Sequence, residues 1–199
     1  MQIARYKTSL LVITTTVSLL IASPALQQLL TFPQSESLSE FWLFGPSHNT
    51  SYPSNVTAGK TYRLYLDISN HLGSCSYYVI EVKFRNLSQS APNSFNHTRS
   101  TLPALGRISF FVANNISFEL PIDISFNYKM DDKVADRIDM QNIVVNNIIL
   151  SVNSTTIALD KVKNGYYGNL FFELWNYNTT TGRLQYHERY VSLWLKMGA

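Results

Sequence analysis

The sequence holds a single cysteine, Cys75, so no disulfide can form within the chain. That excludes the stapled scaffolds by which small extracellular domains often supplement a thin core. Stability has to come from packing, and the lone thiol is expected to be buried and inert. Charge is scarce as well: Asp, Glu, Lys and Arg make up 15% of the chain, against roughly 25% in ordinary soluble domains. Asn, Ser, Thr and Tyr take their place. Aromatic residues reach 13%, which excludes a disordered chain. Chemistry-bearing motifs are missing too. The four histidines, His48, His71, His97 and His187, have no metal-ligand spacing, and none adjoins the cysteine. There is no Gly-x-Ser-x-Gly, no Gly-rich phosphate loop and no His-Glu-x-x-His. No catalytic residue, metal or cofactor is expected, and the chain does not read as an enzyme.

What charge there is lies unevenly. Arg5 and Lys7 precede a hydrophobic stretch, and residues 1–30 contain no acid. The remainder carries 14 basic and 13 acidic residues, so the net +3 marks no nucleic-acid-binding face. The basic flank, the apolar run from Leu10 to Leu20 and the following Ile21 to Leu30 form a membrane-targeting layout. A helix over residues 8–30 would measure roughly 34 Å, long enough for a bilayer core. Residues 1–30 are therefore expected to be a signal anchor, with lipid contacts over 8–30 and the C-terminal domain outside. The small residues Ala22, Ser23 and Ala25 offer cleavage, and hence secretion, as the alternative. Residues 31–39 read as a linker, and 40–199 as the extracytoplasmic domain.

Asn-X-Ser/Thr occurs at Asn49, Asn55, Asn86, Asn96, Asn115, Asn153 and Asn178. Ser and Thr fill 37 of 199 positions, so about three such sites would fall by chance among the 17 asparagines. The excess points to N-linked glycans and an extracytoplasmic surface.

Beyond residue 39 the dominant pattern is period-two alternation. Tyr62, Leu64, Leu66 and Ile68 line one face. Tyr78, Ile80, Val82 and Phe84 line another, with Glu81 and Lys83 between them. Gly73 suits the hairpin joining these runs. Phe118 to Tyr128 alternates most clearly, and Pro121 within it implies an edge or a bulge. Asp131, Asp132, Asp136 and Asp139 lack the spacing of a calcium loop and read as a solvated turn. Further runs at 143–152, 156–159, 170–174 and 190–197 complete a mainly β protein, expected to be an antiparallel β-sandwich. Trp42 and Trp175 are expected to pack on sheet faces. Trp194 alternates against Val191, Leu193 and Leu195, which makes it the candidate exposed interaction residue.

Several segments resemble, in order, an archaeal membrane-protein family known as domain of unknown function 1616. Ser39 to Pro46 is similar to its "TEFYILGP" opening, and Tyr52 to Gly59 to its "YP-N-T-G" turn. Asp67 to His71 resembles its "GIVNHE" strand end. Leu170 to Leu174 and Tyr190 to Leu195 resemble its "FLLY … YRSLHLW" close. The matches cover 39–84 and 168–197, while roughly 113–165 looks like an insertion. Family members carry several N-terminal membrane helices where this chain has one. The resemblance implies an Ig-like extracytoplasmic β domain of archaeal cell-surface type and supplies no catalytic residues.

These readings point to a non-catalytic membrane-anchored protein that contacts other envelope or membrane-complex proteins. A carbohydrate- or peptide-binding module and a secreted filament subunit are the alternatives.

Overall fold

The computed structural model describes residues 2–30, 38–93, 95–130, 136–152 and 155–198. Most of the 31–39 linker, Asp131, Asp132 and the Asn153 sequon lie outside the described residues. The chain forms two compact units, Met1–Ser37 and Leu38–Ala199.

The first unit holds one helix, α1 (Gln2–Leu30). Its described apolar side chains, from Tyr6 to Ile21, are exposed. Thr14, Thr15 and Thr16 donate their hydroxyls to the carbonyls of Leu10, Leu11 and Val12, four residues back. This bonding hides polar groups within the helix. Twenty-nine residues give α1 the length of a bilayer but not the apolarity. Among the described residues, no helix is long and apolar enough to cross a membrane. The spanning anchor expected from the sequence is therefore not shown. The physical reason is the run of hydroxyl residues at the centre of the segment.

The second unit is mainly β. Its strands are β1 (Leu38–Phe44), β2 (Asn55–Val56), β3 (Thr61–His71), β4 (Ser76–Arg85), β5 (Gly106–Val112) and β6 (Ile116–Met130). They continue with β7 (Arg137–Val145), β8 (Ile148–Ser151), β9 (Thr156–Asp160), β10 (Gly165–Asn178) and β11 (Arg183–Met197). All pairings are antiparallel except β2 with β11. The path β1-β3-β6-β7-β9-β10-β11-β2 is continuous because β9 pairs with both β7 and β10. β9 thus joins the β1-β3-β6 and β4-β10-β11 layers into one curled sheet. The region expected as an insertion holds β6 to β9, and β6 is an interior strand between β3 and β7.

The alternation read from the sequence is the core pattern. Leu64, Leu66, Ile68, Ile80, Val82, Ile122, Ile124, Leu170, Phe172, Leu174, Leu193 and Leu195 are all buried in one cluster. Pro121 sits where β6 pairs only with β3, opposite Tyr65, while pairing with β7 begins at Ile124. Its missing N–H thus falls on a locally free edge. Cys75 is exposed, in the short β3–β4 connection, and not buried as expected. Nothing packs over that turn to remove the thiol from water.

Two glycines permit close approaches. A Cβ on Gly45 would stand 1.8 Å from the Ser51 carbonyl oxygen, so only glycine closes the turn after β1. A Cβ on Gly168 would stand 2.3 Å from Cζ of Phe84, whose ring fills the core there.

Candidate interaction surface

The outer face of the β1-β3-β6 layer carries the most exposed tryptophan. Trp42, Asp67 and Glu119 form one row across three strands, because Trp42 pairs with Asp67 and Asp67 with Glu119. Trp42 lies on this sheet face and is 53% exposed. Its indole Nε1 donates to Glu40 Oε2 at 3.3 Å. Glu119 meets His48 Nδ1 at 2.9 Å, and the His48 ring stacks on Tyr65 with centroids 4.0 Å apart. The tight turn that Gly45 permits brings His48 over this face, with a left-handed φ of 53°. Burial and then the nearby Glu119 carboxylate hold the Asp67 carboxyl above its ordinary value. Glu40 adds to the rise and Ser69 opposes it. Two rows away on the same face, Arg63 and Asp123 neutralise each other in a two-pronged pair. Glu40, Asp67 and Glu119 thus leave an acidic rim around an exposed indole, with His48, among the described residues, the one basic side chain bonded to it.

The outer face of the β5-β4-β10-β11 layer is different. Alternation puts Glu81 and Lys83 opposite the core, yet both are buried, at 6% and 2% exposure. The connection from Asn86 to Leu105 folds over them. Lys83 Nζ donates to Glu173 at 2.7 Å and to the Ser100 carbonyl at 3.4 Å, and lies 3.2 Å from Glu81. Glu173 is fully buried and also accepts the Ser100 backbone N–H at 2.6 Å. Arg107 reaches in from the surface and donates twice to Glu81. Two cations and two carboxylates cancel, and each is committed to another, so the cluster is a structural network rather than an open acid–base pair.

Trp194, the residue singled out for interaction, is 40% exposed. The Arg85 guanidinium lies 4.8 Å from its ring centroid, so one face of the indole is already occupied. Trp175 is half-buried, with Arg99 5.2 Å from its ring and Tyr186 beside it. Two clefts flank this layer: about 410 Å³ between Phe84, Leu102, Leu105 and Val152, and about 310 Å³ between Asn86, Arg137, Ile157 and Tyr167. Among the described residues, no group of three or more His, Cys, Asp or Glu side chains is placed to hold a metal.

β11 bulges opposite Leu174 and Trp175, which leaves His187 and Glu188 without cross-strand partners in β10. Glu188 turns outward to His97, 2.7 Å away, while His187 packs edge-on against Tyr78. Burial pushes the His187 imidazole below its ordinary 6.5, with Arg189 adding and Glu188 opposing. The unfolded chain therefore takes up this proton more readily than the folded one. The contribution of His187 to stability is whole above about pH 6.5 and is lost as pH falls below that value. Urea midpoints should be lower at pH 5 than at pH 7.5, and His187→Gln should narrow that gap. A gap of unchanged width would show that other groups carry the dependence.

No protein-family model and no curated protein sequence matches the chain. Among solved structures, the chain is similar to a β-glucosidase from Listeria innocua in complex with isofagomine. Identity is 10%, the TM-score is 0.42, and the match covers 84% of this chain and 17% of that one. The same enzyme in complex with glucose matches at 12% identity and a TM-score of 0.40, covering 82% and 17%. The chain thus spans about a sixth of the length of these proteins, and no residue role is transferred from them.

Proposed function

We propose that this chain is a non-catalytic extracytoplasmic protein, its β domain an Ig-like sandwich that holds a basic surface of another envelope protein. The carrying observation is the Trp42–Asp67–Glu119 row. An exposed indole ringed by carboxylates suits a lysine or arginine side chain, which gains from the ring face and from the opposite charge together. Buried tryptophan is also a frequent energetic anchor of protein interfaces. The paired, covered state of Lys83, Glu81 and Glu173 supports the non-catalytic part of the reading.

The helix α1 is the export segment, with Arg5 and Lys7 kept on the cytoplasmic side. Its exposed apolar side chains and self-bonded threonines suit lipid contact.

The test is recovery of fixed partners from gently solubilised envelopes. Trp42→Ala and Asp67→Lys should each reduce the co-purified protein at least about tenfold, the scale of an anchor residue. Recovery at the unsubstituted level with both variants would sink the reading. Displacement of the partner by a soluble oligosaccharide, with no sensitivity to Asp67→Lys, would favour a glycan ligand instead. Protease treatment of intact cells tests the compartment, and the mass of the mature N-terminus shows whether α1 is retained.

A further inference from the structure

We propose that the folded domain admits N-linked glycan at Asn49, Asn55 and Asn96, and excludes it at Asn86, Asn115 and Asn178. This rests on the extracytoplasmic reading above and sharpens it from a compartment signal into an assignment of sites.

Glycan transfer makes a bond between the asparagine Nδ2 and the anomeric carbon of the sugar. It breaks that carbon's bond to the phosphate oxygen of a glycosyl-phosphate donor, and the amide proton passes to a base of the transferase. Two atoms of the sequon must therefore be free on a folded acceptor. One is Nδ2 itself, and the other is the hydroxyl two residues on, which the pattern requires as a recognition element.

At Asn49, Asn55 and Asn96 the side chain is exposed. Among the described residues, neither Nδ2 nor the following hydroxyl of Ser51, Thr57 or Thr98 has a hydrogen-bond partner. The Asn49 Oδ1 accepts the Ser51 backbone N–H at 2.9 Å, which presents the amide nitrogen outward. Asn96 lies in the loop closed by the Asn93–Thr98 bridge.

The other three are engaged. Asn86 is half-buried, and its Nδ2 donates to the Thr156 carbonyl at 2.9 Å, joining the end of β4 to β9. Its Oδ1 accepts the Ser88 hydroxyl at 2.8 Å and the backbone N–H groups of Ser88 and Gln89. Both required atoms are thus occupied. Asn178 donates Nδ2 to Gln185 at 2.9 Å, while its Oδ1 accepts Thr180 and Thr181 N–H groups at the β10–β11 hairpin. Asn115 is exposed, but its recognition hydroxyl, on Ser117, is bonded to the Ser69 hydroxyl at 2.6 Å. Asn153 lies outside the described residues.

Site-resolved glycopeptide mass spectrometry of the full chain, purified from its own envelope, tests this. Glycan should be found on most copies at Asn49, Asn55 and Asn96, and on few or none at Asn86, Asn115 and Asn178. Occupancy at any of the latter three equal to that of the open sites would overturn the sorting, and so would bare asparagines on a chain that protease reaches from outside the cell. Bare asparagines on a protease-inaccessible chain would instead overturn the extracytoplasmic reading. A second measurement needs no glycan. Asn86→Ala should lower the thermal midpoint of the purified protein and Asn55→Ala should not; equal midpoints would remove the structural role that closes Asn86.

Discussion

Replacing Lys83 by alanine should destabilise the β domain by about 3–5 kcal/mol, the range for breaking a buried ion pair on one side. The ammonium is 2% exposed and answers two carboxylates, Glu173 at 2.7 Å and Glu81 at 3.2 Å. Without it, Glu81 keeps Arg107, but among the described residues Glu173 keeps only the Ser100 N–H. A fully buried carboxylate is then left without a counter-ion, which is costlier than losing the attraction itself. The double replacement Lys83→Met with Glu173→Leu removes both charges and should recover much of the loss. Urea unfolding of the two variants separates the effects, because the midpoint shifts while the slope stays constant. A loss below about 1 kcal/mol for Lys83→Ala, the scale of an exposed pair, would mean that water reaches the cluster.

The second large effect concerns Asn70, near the end of β3. It is fully buried. Its Nδ2 donates to the carbonyls of Ser74 and Val112, both at 2.8 Å, and its Oδ1 accepts from Leu72 N–H at 3.1 Å and Tyr78 O–H at 3.2 Å. One carboxamide therefore ties the β3–β4 turn to the end of β5 and to a core tyrosine. Asn70→Ala strands these groups and should cost about 3 kcal/mol, since buried unsatisfied groups cost about 1–3 kcal/mol each. Asn70→Asp keeps the shape and one acceptor but replaces the donor with a carboxylate oxygen that faces the Ser74 and Val112 carbonyl oxygens. At neutral pH it should lose nearly as much as alanine. If the aspartate variant were as stable as the unsubstituted protein, the donor bonds would not be what holds this corner.

Much of the strand pattern was legible because strand periodicity is a local property. Side chains on a strand alternate whatever lies above them. Tyr78, Ile80, Val82 and Phe84 therefore announced a core face without any knowledge of their partners. The candidate surface was not legible in this way. Trp42 and Trp194 both alternate with apolar neighbours, and nothing near either in sequence tells which one stays open. Arg85 comes to Trp194 from more than a hundred residues away, while Trp42 keeps its face clear. The sequons showed the same limit. Seven matched one pattern, but only the fold reveals that Thr156 occupies Asn86 and Ser69 occupies Ser117.

The sequence by itself determined that this is a mainly β protein without a disulfide, with an apolar, acid-free N-terminal segment and no catalytic motif. Composition and short-range periodicity decide those properties. Tertiary structure decided which second faces are covered. Glu81 and Lys83 alternate with core residues, yet the 86–105 connection closes over them, and Cys75, expected to be buried, stands exposed in its turn. It also decided that the sheet curls as one, since β9 gives hydrogen bonds to β7 and to β10. The physical reason is common to all of these. Burial of a sheet's outer face, and the pairing of a strand's two edges, depend on segments far off in the chain, and no local pattern encodes them.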